Sequence, residues 1–395
     1  MATANTVTEH EALPPLGALL PAVGIAAVSR NTADAAIALA HELRRHILIV
    51  ASRNQVDLQE LGGGYVGGWT AESFANYVRS RDASGLVLLC RDHGGPWQNS
   101  HEVGSPPNVA IASALRSFFA DIESGFSILH IDTSLLPVGE ADVTGQAIET
   151  MLQLYEDCVA FCARRGKRVA FEVGIESQSG DVSSLESWLP MLQTIVTTIA
   201  DRGLPRPLFV VAQTGTLVKN GQNVGAICSQ RRQNDVTRQL QTMVQASHSF
   251  GVRLKAHNCD FLDKQHWEIL AKNGITAANV GPEYGVTETR TLVDIMTSAG
   301  QVKARDSFLE AAYDSGRWRR WVGDSSLSDL DKAILAGHYV FDQPLVVELK
   351  QQVGRTLGCG LEGVDRLLQT KLVGLMRRHL GYFGAITQYS RRSRI

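Results

Sequence analysis

The sequence predicts an α/β fold, namely a (β/α)8 TIM barrel with a helical C-terminal extension. Short apolar runs alternate with segments of helical periodicity, the alternation repeats eight times, and the strand signal stops after about residue 290. The runs are continuous in apolar character, as is typical of parallel strands covered on both faces. A doubly wound open sheet is the alternative, but no GxGxxG sequence follows the first run. We therefore expect residues 1–290 to form the barrel and residues 291–395 the extension.

Each predicted strand has the length of a buried strand. In chain order the strands are Ala22–Val28, Ile47–Ala51, Leu86–Cys90, Ser127–Ile131, Arg168–Val173, Leu208–Ala212, Val252–Ala256 and Thr276–Val280. The periodicity between them predicts helices, for example over Ala33–Arg44, Ala71–Arg81 and Ala147–Ala163. In the extension the pattern predicts helices alone, over Thr291–Ala299, Val302–Asp314, Leu330–Val340, Pro344–Val353 and Gly363–Leu380.

Composition excludes several classes of protein. Of the 395 residues 44% are hydrophobic and 20% are charged, which is typical of a globular chain. Lys and Arg number 38 against 40 for Asp and Glu, and this net charge of −2 argues against nucleic acid as a partner. The six cysteines form no CxxC pair and predict free thiols. With no signal peptide and no apolar run near the roughly 20 residues of a membrane helix, we expect a cytoplasmic protein without a membrane partner.

Polar or ionisable side chains follow nearly every predicted strand. Barrel enzymes carry their active sites at the carboxyl ends of the strands, so these segments are the candidates for function. They are Ser29–Asn31, Ser52–Gln55, Arg91–Pro96, Asp132–Ser134, Gly174–Glu176, Gln213–Thr216, His257–Asp260 and Gly281–Glu283.

Two histidines at strand ends predict a metal site. Asp92 and His93 end the third strand and His257 ends the seventh, and imidazoles from separate strands with an added acid suit a divalent metal of the zinc type. Glu176 is the nearest acid, and Asp92 could move a proton beside the metal. A hydrogen-bonded structural role is the alternative for either histidine alone. The other histidines that compete for a third ligand position are His101, His130, His248 and His266, of which we expect His130 and His266 to be structural.

Three loop segments leave alternatives open. The glycine-rich stretch 62–68 can act as a lid over a substrate or be a plain loop. Residues 257–260 together with Gly281 occupy the place where barrels often hold phosphate through backbone N–H groups, although no Lys or Arg marks it. The stretch Arg317–Trp321 can bind phosphate or a partner, or be an ordinary surface of stacked Trp and Arg side chains.

In order along the chain, several short motifs resemble one known family. They are Ser52-x-Asn54-Gln55-Val56, Gly63–Gly67, Asp92–Trp97, Asp132–Ser134, Gly174–Glu176, Ala256-His257-Asn258-x-Asp260, Val280–Pro282 and, more loosely, Gly360–Val364. Together they resemble the GatZ/KbaZ-like proteins, the Z-type subunits of class II D-tagatose-1,6-bisphosphate aldolase, which are related to class II fructose-bisphosphate aldolases. The resemblance extends from about residue 20 to about residue 295.

The resemblance implies a barrel, a divalent metal, which we expect to be zinc, and ketose-phosphate chemistry. It implies that Asp92 is the acid/base and that His93 and His257 are metal ligands. The aldolase pattern has a further histidine after strand six, where this chain has Gln213. The resemblance then implies either that Glu176 substitutes as ligand and takes part in catalysis, which we expect, or that the metal is weakly held. The residues expected to bind substrate are Asn54, Gln55, Asp132, Gln213, Asn258, Asp260 and Gly281.

The function implied is a metal-dependent ketose or ketose-phosphate aldolase or 4-epimerase. The metal would polarise the C2 carbonyl, Asp92 would take the C4 hydroxyl proton, and the C3–C4 bond would break. Re-addition on the same face gives aldol exchange, whereas re-addition after the aldehyde rotates inverts C4.

The alternative from another class is a non-catalytic subunit that stabilises a partner class II aldolase, and a third is a barrel acting on a non-phosphorylated or modified sugar. Some relatives carry a kinase label, but the sequence has no P-loop. We expect a small sugar or sugar phosphate as the ligand and a homo-oligomer as the assembly.

Overall fold

Eight parallel strands close a barrel, as the sequence predicts. The computed structural model describes residues 14–136, 143–175, 180–323 and 327–385. Each strand pairs with its neighbours in chain order, and the eighth pairs with the first, with Ala277 opposite Ala22. The barrel strands are β1 (Ala22–Ala26), β2 (Ile47–Ser52), β3 (Val87–Gly94), β4 (Ile128–Asp132), β5 (Ala170–Gly174), β6 (Phe209–Val211), β7 (Arg253–Ala256) and β8 (Ala277–Val280). A short hairpin of Val218–Lys219 and Gln222–Asn223 follows β6.

Helices separate the strands and pack around them. Helix α1 (Leu16–Leu19) precedes β1, and the helices that follow the strands are α2 (Arg30–Leu43), α3 (Ala71–Arg79), α4 (Pro107–Glu123), α5 (Val143–Arg165), α6 (Leu185–Asp201), α7 (Gln233–Ser249), α8 (Lys264–Lys272) and α9 (Pro282–Ser298). Side-chain hydrogen bonds cap the N-termini of several helices. Ser29 accepts a hydrogen bond from the Thr32 N–H at the start of α2, and Thr70 and Ser73 form a capping box on α3.

The extension is helical, as predicted, and its last helix returns to the barrel. It comprises α10 (Val302–Asp314), α11 (Asp329–Ala336), α12 (Pro344–Thr356) and α13 (Gly360–Tyr382), with 3-10 turns at Arg317–Arg320 and Gly337–Val340. Helix α13 packs against α2 and α9, and Leu372, Leu375 and Met376 join the barrel core. The predicted boundary between residues 290 and 291 falls inside α9.

Strand β3 contains an irregularity that matters for the site. Its pairing with β4 shifts between Arg91, opposite Leu129, and Gly94, opposite Ile131, so β3 carries one residue more than β4 over this stretch. In a regular strand neighbouring side chains face opposite sides. The extra residue is a β-bulge, and it allows Asp92 and His93 to line the same cavity. His93 has φ +45°, a left-handed conformation that costs energy for a residue with a side chain.

A buried carboxyl group joins the start of α2 to α9. Glu288 is fully buried, and its two oxygens accept hydrogen bonds from the Ser29 hydroxyl at 2.5 Å and the Asn31 amide at 2.8 Å. Burial raises the pKa of Glu288 to about 7. The native protein therefore holds this proton more tightly than the unfolded chain does.

Replacing Glu288 by Gln is expected to flatten the pH dependence of stability. The contribution of Glu288 to wild-type stability should be fully present below pH 4.5, its ordinary pKa, and should be lost as the pH rises through about 7. The free energy of unfolding lost over this pH range is up to about 3 kcal/mol. Glu288→Gln abolishes this pH-dependent loss because the Gln side chain stays neutral. Urea unfolding at a series of pH values measures the effect, with the exposed Glu186→Gln on α6 as the control. If stability depended on pH in the same way in wild type and Glu288→Gln, the raised pKa of Glu288 would be contradicted.

Two further expectations concern cysteines and membranes. All six cysteines are free, as predicted, and four of them are buried. Within the described ranges, none of the helices has the length and apolar composition needed to cross a membrane.

Candidate active site

A cavity of about 330 Å³ opens at the carboxyl ends of the strands. This volume lies at the small end of the range of about 300–1,000 Å³ that is typical of small-molecule sites. The predicted site residues that line it are Asn54, Gln55, Asp92, His93, His257, Asn258, Asp260 and Gly281. Glu176, predicted as a metal ligand and catalytic residue, lies outside the described residues.

Three histidines from three strands converge at the inner end of this cavity. His93 and His257 have ring centroids 4.9 Å apart, and His130 on β4 lies 5.6 Å and 5.2 Å from them. One ring nitrogen from each lies within 4.8 Å of the others. His130 and His257 are buried, whereas the His93 side chain is 25% exposed toward the cavity. The cluster thus has two enclosed imidazoles and one that is open to a ligand.

Asp92 sits beside this cluster. Its Oδ1 lies 3.7 Å from His257 Nε2 and accepts a hydrogen bond from the Asn279 amide at 3.0 Å. Burial alone would raise the pKa of Asp92, but the charges of His93 and His257 outweigh it and hold the pKa well below its usual range. The carboxylate is therefore ionised at neutral pH.

Glu172 and Lys255 form a buried ion pair next to the histidine cluster. Glu172 on β5 lies 3.1 Å from His257 Nε2 through Oε1, and its Oε2 accepts a hydrogen bond from Lys255 Nζ at 2.7 Å. Burial opposes ionisation of Glu172, yet Lys255 and the histidines lower its pKa to about 2. Burial likewise would lower the pKa of Lys255, and Glu172 reverses that effect. Lys255 is therefore held as a cation and is not a free amine nucleophile.

Asp132 holds His93 in place and does not line the cavity. Its Oδ2 lies 2.7 Å from His93 Nδ1 and accepts a hydrogen bond from the Gln98 amide, while its Oδ1 accepts from the Ser134 N–H. The side chain is fully buried and positions His93 in this structure, and the expected role of Asp132 in substrate binding stays a prediction. Because Asp132 occupies Nδ1, it leaves the Nε2 of His93 for another partner.

Gln213 likewise serves the fold. It is fully buried, and its Oε1 accepts hydrogen bonds from the N–H groups of Gly215 and Thr216 at 3.0 Å and 2.9 Å. The side chain shapes the turn after β6 and does not line the cavity. The expectation that Gln213 binds substrate stays a prediction.

The backbone groups expected to hold phosphate already have a partner. Asp260 Oδ1 accepts hydrogen bonds from the N–H groups of Gly281 and Glu283, both at 2.8 Å, at the start of α9. Burial raises the pKa of Asp260 to about 7. The backbone N–H groups of Gly281 and Glu283 are thus already hydrogen-bonded within the protein.

Asn54 and Gln55 form the wall beside β2. The Asn54 amide donates to the carbonyl of Gln98 and accepts from the Ser100 N–H, so it ties β2 to the loop after β3. Gly64 lies against Gln55, and a Cβ there would stand 1.7 Å from the Gln55 carbonyl oxygen. This close approach explains the glycine, and it brings Tyr65 to the cavity wall.

The donor set fits a divalent cation. Three carboxylates (Asp92, Asp132 and Glu172) lie around the imidazoles with a single ammonium (Lys255), so acidic side chains outnumber the lysine cation in this nearly buried cluster. Imidazoles and carboxylates are ligands that zinc and related metals prefer. Two overlapping groups can serve, His93 with His130 and His257, or Asp92 with His130, Glu172 and His257.

Sequence reasoning assigned no functional role to four of these groups. His130 was expected to be structural, and Glu172, Lys255 and Asn279 were not singled out, because only the segments after the strands were considered. A usable signal existed, since charged residues within apolar strands are rarely buried unless they are paired. Glu172 and Lys255 stand within two such runs, and both point into the barrel.

Solved structures with the same fold include several sugar enzymes. A probable tagatose 6 phosphate kinase from Sinorhizobium meliloti 1021 aligns with TM-score 0.71 and 19% identity over 92% of this chain and 100% of that chain. A fructose-bisphosphate aldolase from Campylobacter jejuni aligns with TM-score 0.55 and 12% identity over 92% of this chain and 90% of that chain. The fructuronate-tagaturonate epimerase UxaE from Cohnella laeviribosi aligns with TM-score 0.51 and 12% identity over 92% of this chain and 81% of that chain. At such low identities these likenesses establish the fold alone.

Comparison of the sequence with families and with curated proteins gives one match. No curated protein matches the chain significantly. Residues 20–170, which contain β1–β4, match the family described as D-tagatose-1,6-bisphosphate aldolase subunit GatZ/KbaZ-like. Over this part of the chain, the family resemblance that the sequence motifs predicted is confirmed.

Proposed function

We propose that the protein is a metal-dependent aldolase or 4-epimerase that acts on a ketose or ketose phosphate by cleaving C3–C4. The observation that carries this proposal is the convergence of His93, His130 and His257 beside the ionised Asp92 in one small cavity. The family match over residues 20–170 supports the same class of chemistry.

The histidine cluster is the proposed metal site. His93 and His257 would hold the ion, with His130 or Glu172 as the third ligand and zinc as the proposed metal. A bound divalent cation supplies Lewis-acid polarisation of the ketose carbonyl, which is worth several kcal/mol. Lys255 keeps Glu172 ionised, and Asp132 keeps the His93 ring in its orientation.

Asp92 is the proposed base. It accepts the proton of the C4 hydroxyl, the C3–C4 bond breaks with its electron pair passing toward the C2 carbonyl, and C4 becomes an aldehyde. Asn279 fixes the carboxylate through its amide. Return of the proton from Asp92 accompanies re-addition, and the face on which the aldehyde re-adds decides whether C4 keeps or inverts its configuration.

The direct test is incubation of purified protein with tagatose 1,6-bisphosphate, fructose 6-phosphate and related ketoses, with and without Zn²⁺. Cleavage products or C4 epimers that require metal are expected. The family description includes the word subunit, which favours a second candidate, a helper of a partner aldolase. Absence of turnover, together with a rise in the activity of an added class II aldolase, would favour that candidate over catalysis.

Asp132→Asn is expected to weaken metal binding about 10- to 100-fold, because partners that orient a ligand histidine have effects of this size. Asn keeps the shape of the side chain but loses the charge that faces His93 Nδ1. Competition with a chelating dye measures the zinc affinity. Asp121→Asn is unsuitable as a control because it breaks a buried pair with Arg91, so the exposed Asp235→Asn serves instead. Equal zinc affinities for Asp132→Asn and wild type would contradict the positioning role.

A further inference from the structure

The extension places two arginines at the mouth of the cavity. The 3-10 turn Arg317–Arg320 follows α10, and Arg317 and Arg320 line the cavity together with residues of the barrel loops. Burial raises the pKa of Tyr65 and of Tyr339, and both guanidinium charges oppose this shift. The Arg317 guanidinium lies 5.9 Å from the Tyr339 ring, and both arginines line the same cavity as the two tyrosines.

Neither guanidinium is neutralised by the part of the chain that the structure describes. Arg317 and Arg320 form no ion pair and no side-chain hydrogen bond with a described residue, and each lies near an aromatic ring, at 5.9 Å from Tyr339 and 5.3 Å from Trp321. By contrast the buried Arg53 and Arg91 are both paired with carboxylates. The two cations at the mouth therefore keep their donors for a ligand.

Among the described residues that line the cavity, Arg317 and Arg320 are the only lysines or arginines. The N–H groups of Gly281 and Glu283 are occupied by Asp260. Burial lowers the pKa of His338, another lining residue, to about 3, so this ring is neutral. The Tyr339 hydroxyl accepts a hydrogen bond from Trp321 Nε1 at 3.1 Å, which leaves its own proton to donate.

Charge is thus divided within one small space. Carboxylates and imidazoles from the barrel strands occupy the inner end, and two unpaired guanidiniums from the extension stand at the mouth. A ligand that complements both parts has oxygen donors for a metal at one end and an anionic group at the other. Guanidinium matches phosphate and carboxylate oxygens through its fixed fork of N–H donors.

We propose that Arg317 and Arg320, with the Tyr339 hydroxyl, form an anion subsite for the phosphate or carboxylate of an acyclic sugar. The inference rests on the proposed function in one respect, which is that the reacting carbons lie at the histidine cluster. It narrows the substrate class to anionic sugars and gives the extension a part in specificity.

The test measures ligand binding by calorimetry, which needs no turnover. Fructose 6-phosphate, fructuronate and neutral fructose are titrated into wild type, Arg317→Gln, Arg320→Gln and the double variant. The matched control is Arg319→Gln, since Arg319 belongs to the same turn but stacks on Trp318 and does not line the cavity.

Wild type is expected to bind at least one anionic sugar more tightly than fructose. The double variant should bind that anionic sugar about tenfold or more weakly, as charge-assisted hydrogen bonds of this kind imply. Its affinity for fructose should not change, and Arg319→Gln should bind every ligand as wild type does. Loss for fructose 6-phosphate alone assigns phosphate, and loss for fructuronate alone assigns carboxylate. Unchanged anion affinity in the double variant, or an equal loss for fructose, overturns the subsite.

Failure of the proposed chemistry gives a different pattern. If turnover is absent but the arginine variants still lose affinity for the anionic sugar, the subsite stands and the catalytic proposal fails. If turnover depends on metal but is indifferent to the arginines and to the anionic group, the catalytic proposal stands and the subsite fails.

Discussion

Asp92→Asn is expected to lower kcat by about 10²- to 10⁴-fold, the usual effect of losing a positioned general base. Asn keeps the size of the side chain, and its oxygen can still accept the hydrogen bond from the Asn279 amide, so the fold should be retained. KM should change little because the carboxylate acts on the proton and is not the main contact with the substrate. Steady-state kinetics on the substrate found in the ketose panel measure both constants.

Two controls make this result specific to Asp92. Zinc content should match that of wild type if Asp92 is the base and not a ligand. The exposed Asp235→Asn on α7 should leave kcat unchanged. A kcat for Asp92→Asn within a factor of about two of wild type would remove Asp92 from the mechanism.

Removal of either His93 or His257 is expected to abolish stoichiometric metal binding. Each supplies an imidazole to the cluster, and His→Ala leaves too few neutral nitrogen donors for a tight site. Elemental analysis after dialysis against Zn²⁺ measures the ion content, and the melting temperature gives a second readout. Zinc should raise the melting temperature of wild type, because a ligand that binds only the native state stabilises that state. It should not raise the melting temperature of the His→Ala variants.

His130→Ala identifies the third ligand in the same experiment. Loss of zinc would place His130 in the coordination sphere, whereas retention would favour Glu172 as the third ligand. The exposed His248→Ala at the end of α7 is the matched control and should bind zinc as wild type does. Retention of a full equivalent of zinc by both His93→Ala and His257→Ala would refute the proposed metal site.

The sequence predicted the barrel well because its signal is local and repeated. Each strand is an apolar run between helical patterns, and all eight predicted strands are present with ends shifted by a few residues. The same logic found His93 and His257, because both lie where a strand ends.

The remaining parts of the site depend on geometry that a linear pattern does not carry. The bulge in β3 directs both Asp92 and His93 to the cavity, and nothing in the residue types announces the extra position. His130 was judged structural because it precedes the strand end, yet the inward face of β4 brings it to the other rings. Arg317 and Arg320 reach the mouth only because the extension folds back over the barrel loops.

The return of α13 to the barrel wall has a consequence for how the protein is made. Leu372, Leu375 and Met376 cover apolar surface near α2, one of the first helices to leave the ribosome. That surface is expected to stay open to water, and to chaperones, until translation reaches the far end of the chain. Completion of the barrel is thus expected to be a late event in biosynthesis.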